Sequence, residues 1–270
     1  MGKNIKDLAA LIAQQGSAKK FWEIKAAAGA DTGEVYIYGF ITSYKWDDTD
    51  VTAADFNKEL RELGNIKTLN IYINSPGGSV FQGQAIYSIL ERHSAHKNVY
   101  IDGIAASMAS LIAMAGDTIY MPENAMMMVH NPISWCAGNA NDMRKEAAVL
   151  DKVREAMIPA YLNKAGEKLT EEKLIELLDD ETWLTAQECL EYGLCDEVLA
   201  EKQIAASISP EVLGVYKNVP ENVKKLLLNP VDSQKEAEMK ERVAMLKESR
   251  FNLERTKNIL EAIYYENRSV

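Results

Sequence analysis

Residues 68–93, TLNIYINSPGGSVFQGQAIYSILERH, decide the fold class. The first seven carry β-branched and apolar residues at both parities, which reads as a strand buried on both faces. Ser75-Pro76-Gly77-Gly78-Ser79 breaks that pattern. Residues 80–93 then show helical apolar spacing. A buried strand that hands over to a helix through a glycine turn is half of a βαβ unit.

The same alternation extends outward. Downstream, NVYIDGI (98–104) reads as a strand and AASMASLIAMAG (105–116) as a small-residue helix ending at Gly116. TIYM (118–121) and MMMVH (126–130) read as further strands around the turn PENA. Upstream, EVYIYGFI (34–41) alternates as a strand, and Thr52 with Asp55 opens the helix AADFNKELREL. A long amphipathic helix is expected over 141–166, with Pro159 a point of kinking or division. Short helices at 170–179 and 185–192 precede a last strand, CDEVL (195–199). The predicted class is therefore α/β, with a mostly parallel sheet and right-handed crossovers. Functional groups in such a fold gather where strands hand over to helices.

Three segments are expected. Residues 1–32 read as a polar, partly helical lead-in, and 33–203 as the folded domain. Residues 204–270 begin as a proline-punctuated linker and end in a charged helical extension. Val243, Leu246, Phe251, Leu253, Ile259, Leu260 and Ile263 line one face of that helix, either as a solvated tail or as a partner-binding surface.

Composition narrows the function classes. The net charge of −10 argues against a nucleic-acid footprint. No apolar run approaches the length of a membrane span, and the N-terminus lacks a signal core and a myristoylation pattern. Three scattered cysteines, Cys136, Cys189 and Cys195, read as reduced thiols of a cytosolic-type compartment. Two ligand motifs fail on single positions. Gly78 and Gly83 have P-loop spacing, but Gln84-Ala85 replaces Lys-Ser/Thr. The acids from Asp48 to Glu59 span a calcium loop, but Ala53 stands where glycine is needed. His93 and His96 (H-S-A-H) lack the glutamate of a zinc motif and read as solvated. No metal or cofactor is expected.

Three stretches carry chemistry. Gly77 and Gly78 form either a tight turn or a set of uncovered amides at a helix start, suited to an oxyanion. Ser107, in GIAASMAS (103–110), is either a helix cap or a nucleophile at a strand–helix junction. It lacks the G-x-S-x-G frame of the α/β-hydrolase elbow. Ser110, a turn into the helix, reads as packing. His130 ends the strand MMMVH and is either a general base or a satisfied core histidine. A serine nucleophile needs a base, and the base needs an orienting carboxylate. Asp179, Asp180 and Glu181 are the candidate acids.

Taken together, YINSPGGSV (72–80), GIAASMAS, MMMVHNP (126–132) and WLTAQECLEYGLCDEV (183–198) resemble, in order, the blocks of the Clp protease proteolytic subunit. The likeness is greatest to the Clp-like head maturation proteases of tailed phages and prophages, and it covers residues 34–200. KKFWEIKA with EVYIYGFITSYKWDD also resembles that phage branch. The resemblance implies a ClpP/crotonase-type spiral of ββα units with a protruding handle helix at 141–166. It implies a serine endopeptidase, ATP-independent or partner-assisted, that processes phage capsid or scaffold proteins. Ser107 falls on the nucleophile, His130 on the base, and Gly77, Gly78 and Met108 on the oxyanion amides. Glu181 falls on the third position, where the family usually has Asp; Asp180 or Asp179 takes it if the loop slips. A homo-oligomeric ring is implied, in the host cytoplasm or inside the prohead, with no nucleic acid, membrane or cofactor. Two alternatives are a catalytically idle scaffold of the same fold and a crotonase-type acyl-CoA enzyme.

Overall fold

The computed structural model describes residues 20–26, 31–42, 52–201, 216 and 218–221. All of them fall within the unit Met1–Leu228. The helix expected around residues 243–263 lies outside the described residues.

The strands are β1 (Trp22–Ala26), β2 (Thr32–Tyr38), β3 (Thr68–Ser75), β4 (His96–Ala106), β5 (Thr118–Pro122), β6 (Met126–Val129), β7 (Thr182–Thr185) and β8 (Glu197–Leu199). The helices are α1 (Ala53–Glu62), α2 (Val80–Glu91), α3 (Met108–Ala113), α4 (Ala140–Ala165), α5 (Glu171–Asp179) and α6 (Ala186–Glu191). β2, β3, β4, β5 and β8 run parallel in that order, and β1 closes one edge antiparallel to β2. β6 joins β4 in parallel and carries β7 antiparallel to it. The α/β class and the mostly parallel sheet are as the sequence predicts.

Several elements differ from expectation. Trp22–Ala26, within the lead-in read as partly helical, is a strand. Trp22 seats it by edge-to-face contact with Phe56 of α1, ring centroids 5.5 Å apart. Thr182–Thr185, not read as a strand, pairs residue for residue with β6. Ala105 and Ala106 extend β4 instead of starting a helix. Helix α4 runs through Pro159 as one element.

β3 is not buried on both faces. Leu69, Ile71 and Ile73 are fully buried beneath α1 and α2 residues such as Phe56, Ile86 and Leu90. Thr68, Asn70 and Tyr72 on the other face are half-buried. Parallel register aligns Tyr36, Tyr72, Tyr100 and Tyr120 across four strands. Their rings stack at 4.8, 5.2 and 4.8 Å. A tyrosine ladder covers apolar sheet surface while leaving the phenol ends able to reach water, so periodicity alone misjudges the face.

Helix α4 splits into two environments. Its first buried residues are Met157 and Ile158; before them only the partly buried Val153 packs against the core. Its buried second half delivers Tyr161, whose hydroxyl lies 2.8 Å from Ser110 Oγ. Ser110 Oγ donates in turn to the Ser107 carbonyl at 2.6 Å. Ser110 is therefore a packing residue that braces the start of α3.

Candidate active site

The long strand β4 changes partner along its length. Residues 98–100 pair with β5, and Ile104, Ala105 and Ala106 pair with Met126, Met127 and Met128 of β6. A register shift between Ile73 and Ser75 of β3 accompanies the change. Because β4 and β6 are parallel, they end side by side. The Ser107 amide continues the ladder, donating to the Met128 carbonyl at 2.9 Å. Ser107 follows β4 and His130 follows β6. Their side chains meet with Oγ and Nε2 2.8 Å apart.

Ser107 has φ +55° and ψ −126°. That region is costly for a residue with a side chain, by about 1–3 kcal/mol. Its side chain makes no capping bond to α3. The flanking Ala105, Ala106, Met108 and Ala109 are buried, whereas Ser107 is half-buried. The backbone thus turns this one side chain out of the core and toward the imidazole.

Antiparallel pairing of β6 with β7 places Val129 opposite Thr182. His130 and Glu181 are the next residues beyond that pair. Burial holds the His130 imidazole below its ordinary value, and the Glu181 carboxylate pulls it partly back up. Glu181 also occupies left-handed backbone, φ +50°. Of the neighbouring acids, Asp179 has its carboxylate engaged elsewhere. Asp179 Oδ1 accepts from Asn131 Nδ2 at 2.6 Å and faces Arg154 at 3.4 Å. The Asp180 carbonyl accepts from Asn218 Nδ2 at 2.9 Å.

The glycine turn lies against Ser107. Ile41 pins it by donating to the Gly77 carbonyl at 2.9 Å and accepting from the Ser79 amide at 2.7 Å. Gly77 and Gly78 both have positive φ, +89° and +147°. A Cβ on Gly77 would lie 2.7 Å from Ser107 Cβ and 2.9 Å from the Met108 nitrogen. The Gly77 amide donates to Ser75 Oγ at 3.1 Å. Gly78 sits in the turn with its amide outside the Ile41 ladder. Met108 is the first residue of α3, ahead of the intrahelical bonds. The Gly78 and Met108 amides therefore have no acceptor among the described residues, and Met108 follows Ser107 directly.

Tyr216 also reaches this place, and nothing in the sequence marked it. Its ring lies edge-on to His130 at 5.7 Å and to Trp183 at 5.9 Å. Its hydroxyl donates to the Pro76 carbonyl.

Other sequence candidates stand apart from this cluster. His96 is exposed, and the half-buried His93 accepts from the Ala95 amide. Burial pushes the Cys195 thiol up to about 11 and Cys189 well above its ordinary value, opposite to an activated thiolate. Among the described residues, no cluster of His, Cys, Asp and Glu is disposed to hold a metal ion, and no helix is long and apolar enough to cross a membrane.

An α/β sheet with serine and histidine in contact at adjacent strand ends, beside uncovered amides, has the geometry that acyl transfer through a serine requires. The profile of the Clp protease family matches residues 47–202. The ATP-dependent Clp protease proteolytic subunits of two strains of Bacteroides fragilis are each 34% identical over 159 residues. The match spans 57% of this chain and 75% and 71% of theirs. The chain belongs to the Clp protease family, and its mixed α/β sheet fits a ClpP-like fold. That membership supports serine peptidase activity.

Proposed function

We propose that Ser107, His130 and Glu181 form the catalytic triad of a serine endopeptidase. The 2.8 Å contact between Ser107 Oγ and His130 Nε2 carries the reading. His130 takes the hydroxyl proton as Ser107 Oγ attacks a peptide carbonyl. The Gly78 and Met108 amides hold the oxyanion, each such donor being worth about 3–4 kcal/mol. Gly77 leaves the space for it. His130 then passes its proton to the leaving amine, and water hydrolyses the acyl-enzyme. The assignment of Glu181 to the third role is supported by its place beside Thr182, the partner of Val129, and by its charge, which acts on the His130 imidazole.

We assign the catalytic domain to residues 33–203, with β1 of the preceding segment adding an edge strand. Assembly into a homo-oligomeric ring in the cytoplasm is part of the same reading. It is supported by the first half of α4, which has no fully buried residue, and by exposed Trp135, Met143 and Val149. Phage head proteins are the proposed substrates, on the likeness of residues 19–48 to the phage branch. Co-expression with the capsid protein, with wild type and Ser107→Ala compared by mass spectrometry, tests the substrate. Capsid cleavage that persists without Ser107 refutes it. A fluorophosphonate tests the chemistry, with the adduct expected on Ser107; a folded chain that stays unmodified refutes the nucleophile.

The pH profile tests His130 and Glu181 together. The base works when neutral, so activity rises as pH climbs through the His130 pKa. Burial lowers that value, which sets the midpoint of the acid limb below about 6.5. Glu181→Gln removes the influence that raises it, so the limb is expected to move lower still while kcat falls by about 10²–10⁴. An unmoved limb in kcat/KM would rule Glu181 out.

A further inference from the structure

The segment after the catalytic domain returns to the site at four points. The Tyr216 ring packs against an apolar cluster of Ile104, Ala106, Met126, Met128 and Trp183, where Val219 joins it. The Tyr216 hydroxyl donates to Pro76, in the glycine turn. Asn218 donates through its amide to Glu181 Oε1 at 3.2 Å and through Nδ2 to the Asp180 carbonyl. Tyr216 thus lies over the serine–histidine pair, and Asn218 ties the segment to the acid loop.

We propose that Tyr216 and residues 218–220 form an autoinhibitory strap that excludes peptide from Ser107 until it is displaced. The inference rests on the serine peptidase reading and concerns the regulation of that site. Two observations favour an inhibitor over a bound substrate. The apolar cluster beside Ser107 is already filled by the ring and by Val219. The group over the serine–histidine pair is a phenol ring, which offers no carbonyl for a serine to attack. Burial pushes the phenol's pKa up, so its proton stays in the bond to Pro76. The strap blocks the substrate.

Full-length wild type, Tyr216→Ala and Tyr216→Phe are compared for the rate of fluorophosphonate labelling at Ser107 and for amide exchange over residues 104–108 and 126–130. Tyr216→Ala is expected to label about 10- to 100-fold faster, as loss of a buried ring and one hydrogen bond implies. Exchange at both stretches should rise, with that of Leu69–Ile73 unchanged as the sign of an intact sheet. Tyr216→Phe keeps the ring and loses the Pro76 bond, so its rate should fall between. Equal labelling in all three chains overturns the strap and leaves the nucleophile standing. No labelling in any of them overturns the serine reading, and the strap's role with it. Cleavage of the wild-type chain after Tyr216, absent in Ser107→Ala, also overturns the strap, because the segment would then be a substrate.

Discussion

Ser107→Ala is expected to lower kcat for peptide hydrolysis by about 10⁶-fold while the chain stays folded. The hydroxyl is the only atom lost, and its one strong partner is His130 Nε2 at 2.8 Å. The alanine variant keeps the strain of φ +55°. Ser107→Gly separates the two properties. It should lose activity equally, yet unfold at higher denaturant, because glycine adopts that backbone without the penalty, worth about 1 kcal/mol or more. Steady-state kinetics and urea midpoints on the two variants read this out. A Ser107→Gly variant less stable than Ser107→Ala would show that the backbone there is not strained. An active Ser107→Ala chain would remove the nucleophile from the mechanism.

Gly77→Ala is expected to have the second largest effect, without touching a catalytic side chain. The added methyl would lie 2.6 Å from the Ala106 carbonyl, 2.7 Å from Ser107 Cβ and 2.9 Å from the Met108 nitrogen. Two of those three atoms are backbone, fixed by the β4–β6 ladder and the start of α3. They cannot yield cheaply. The φ of +89° adds strain of its own. The methyl would also cover the Met108 amide, so kcat/KM should fall by about 10²–10³ or more. Stability should fall by about 1–3 kcal/mol. A folded Gly77→Ala variant with near-normal kcat/KM would show that the oxyanion is stabilised elsewhere.

Local patterns carried much of the architecture. The runs around 68–74, 98–104 and 126–130 read as strands because their apolar, β-branched and Met content suits a pleated core. Thr52 and Asp55 announced α1, and the Thr52 amide does donate to Asp55 Oδ2 at 2.8 Å. Two strands escaped. Trp22–Ala26 and Thr182–Thr185 are five and four residues long, too short for a period-two pattern to stand out. What makes them strands is a partner, β2 for one and β6 for the other. The tyrosine ladder misled for a related reason. Tyr36, Tyr72, Tyr100 and Tyr120 look apolar singly, and only register turns them into a half-exposed stack.

From residue order alone came the α/β class, the strand-end positions of Ser107 and His130, and the permissive turn at Gly77 and Gly78. These follow from short-range chemistry, since periodicity, β-branching and glycine act within a few residues. The tertiary structure decided which of those positions meet. Ser107 and His130 touch because β4 trades β5 for β6 partway along, and parallel strands in register end together. Glu181 adjoins Thr182, the partner of Val129, so it and His130 lie just beyond the same end of the β6–β7 pairing. Tyr216 lies over the pair because an apolar cluster built from β4, β6 and β7 receives its ring. No local signal records that, since burial against distant strands is a property of the folded surface and not of the residues beside it in the chain.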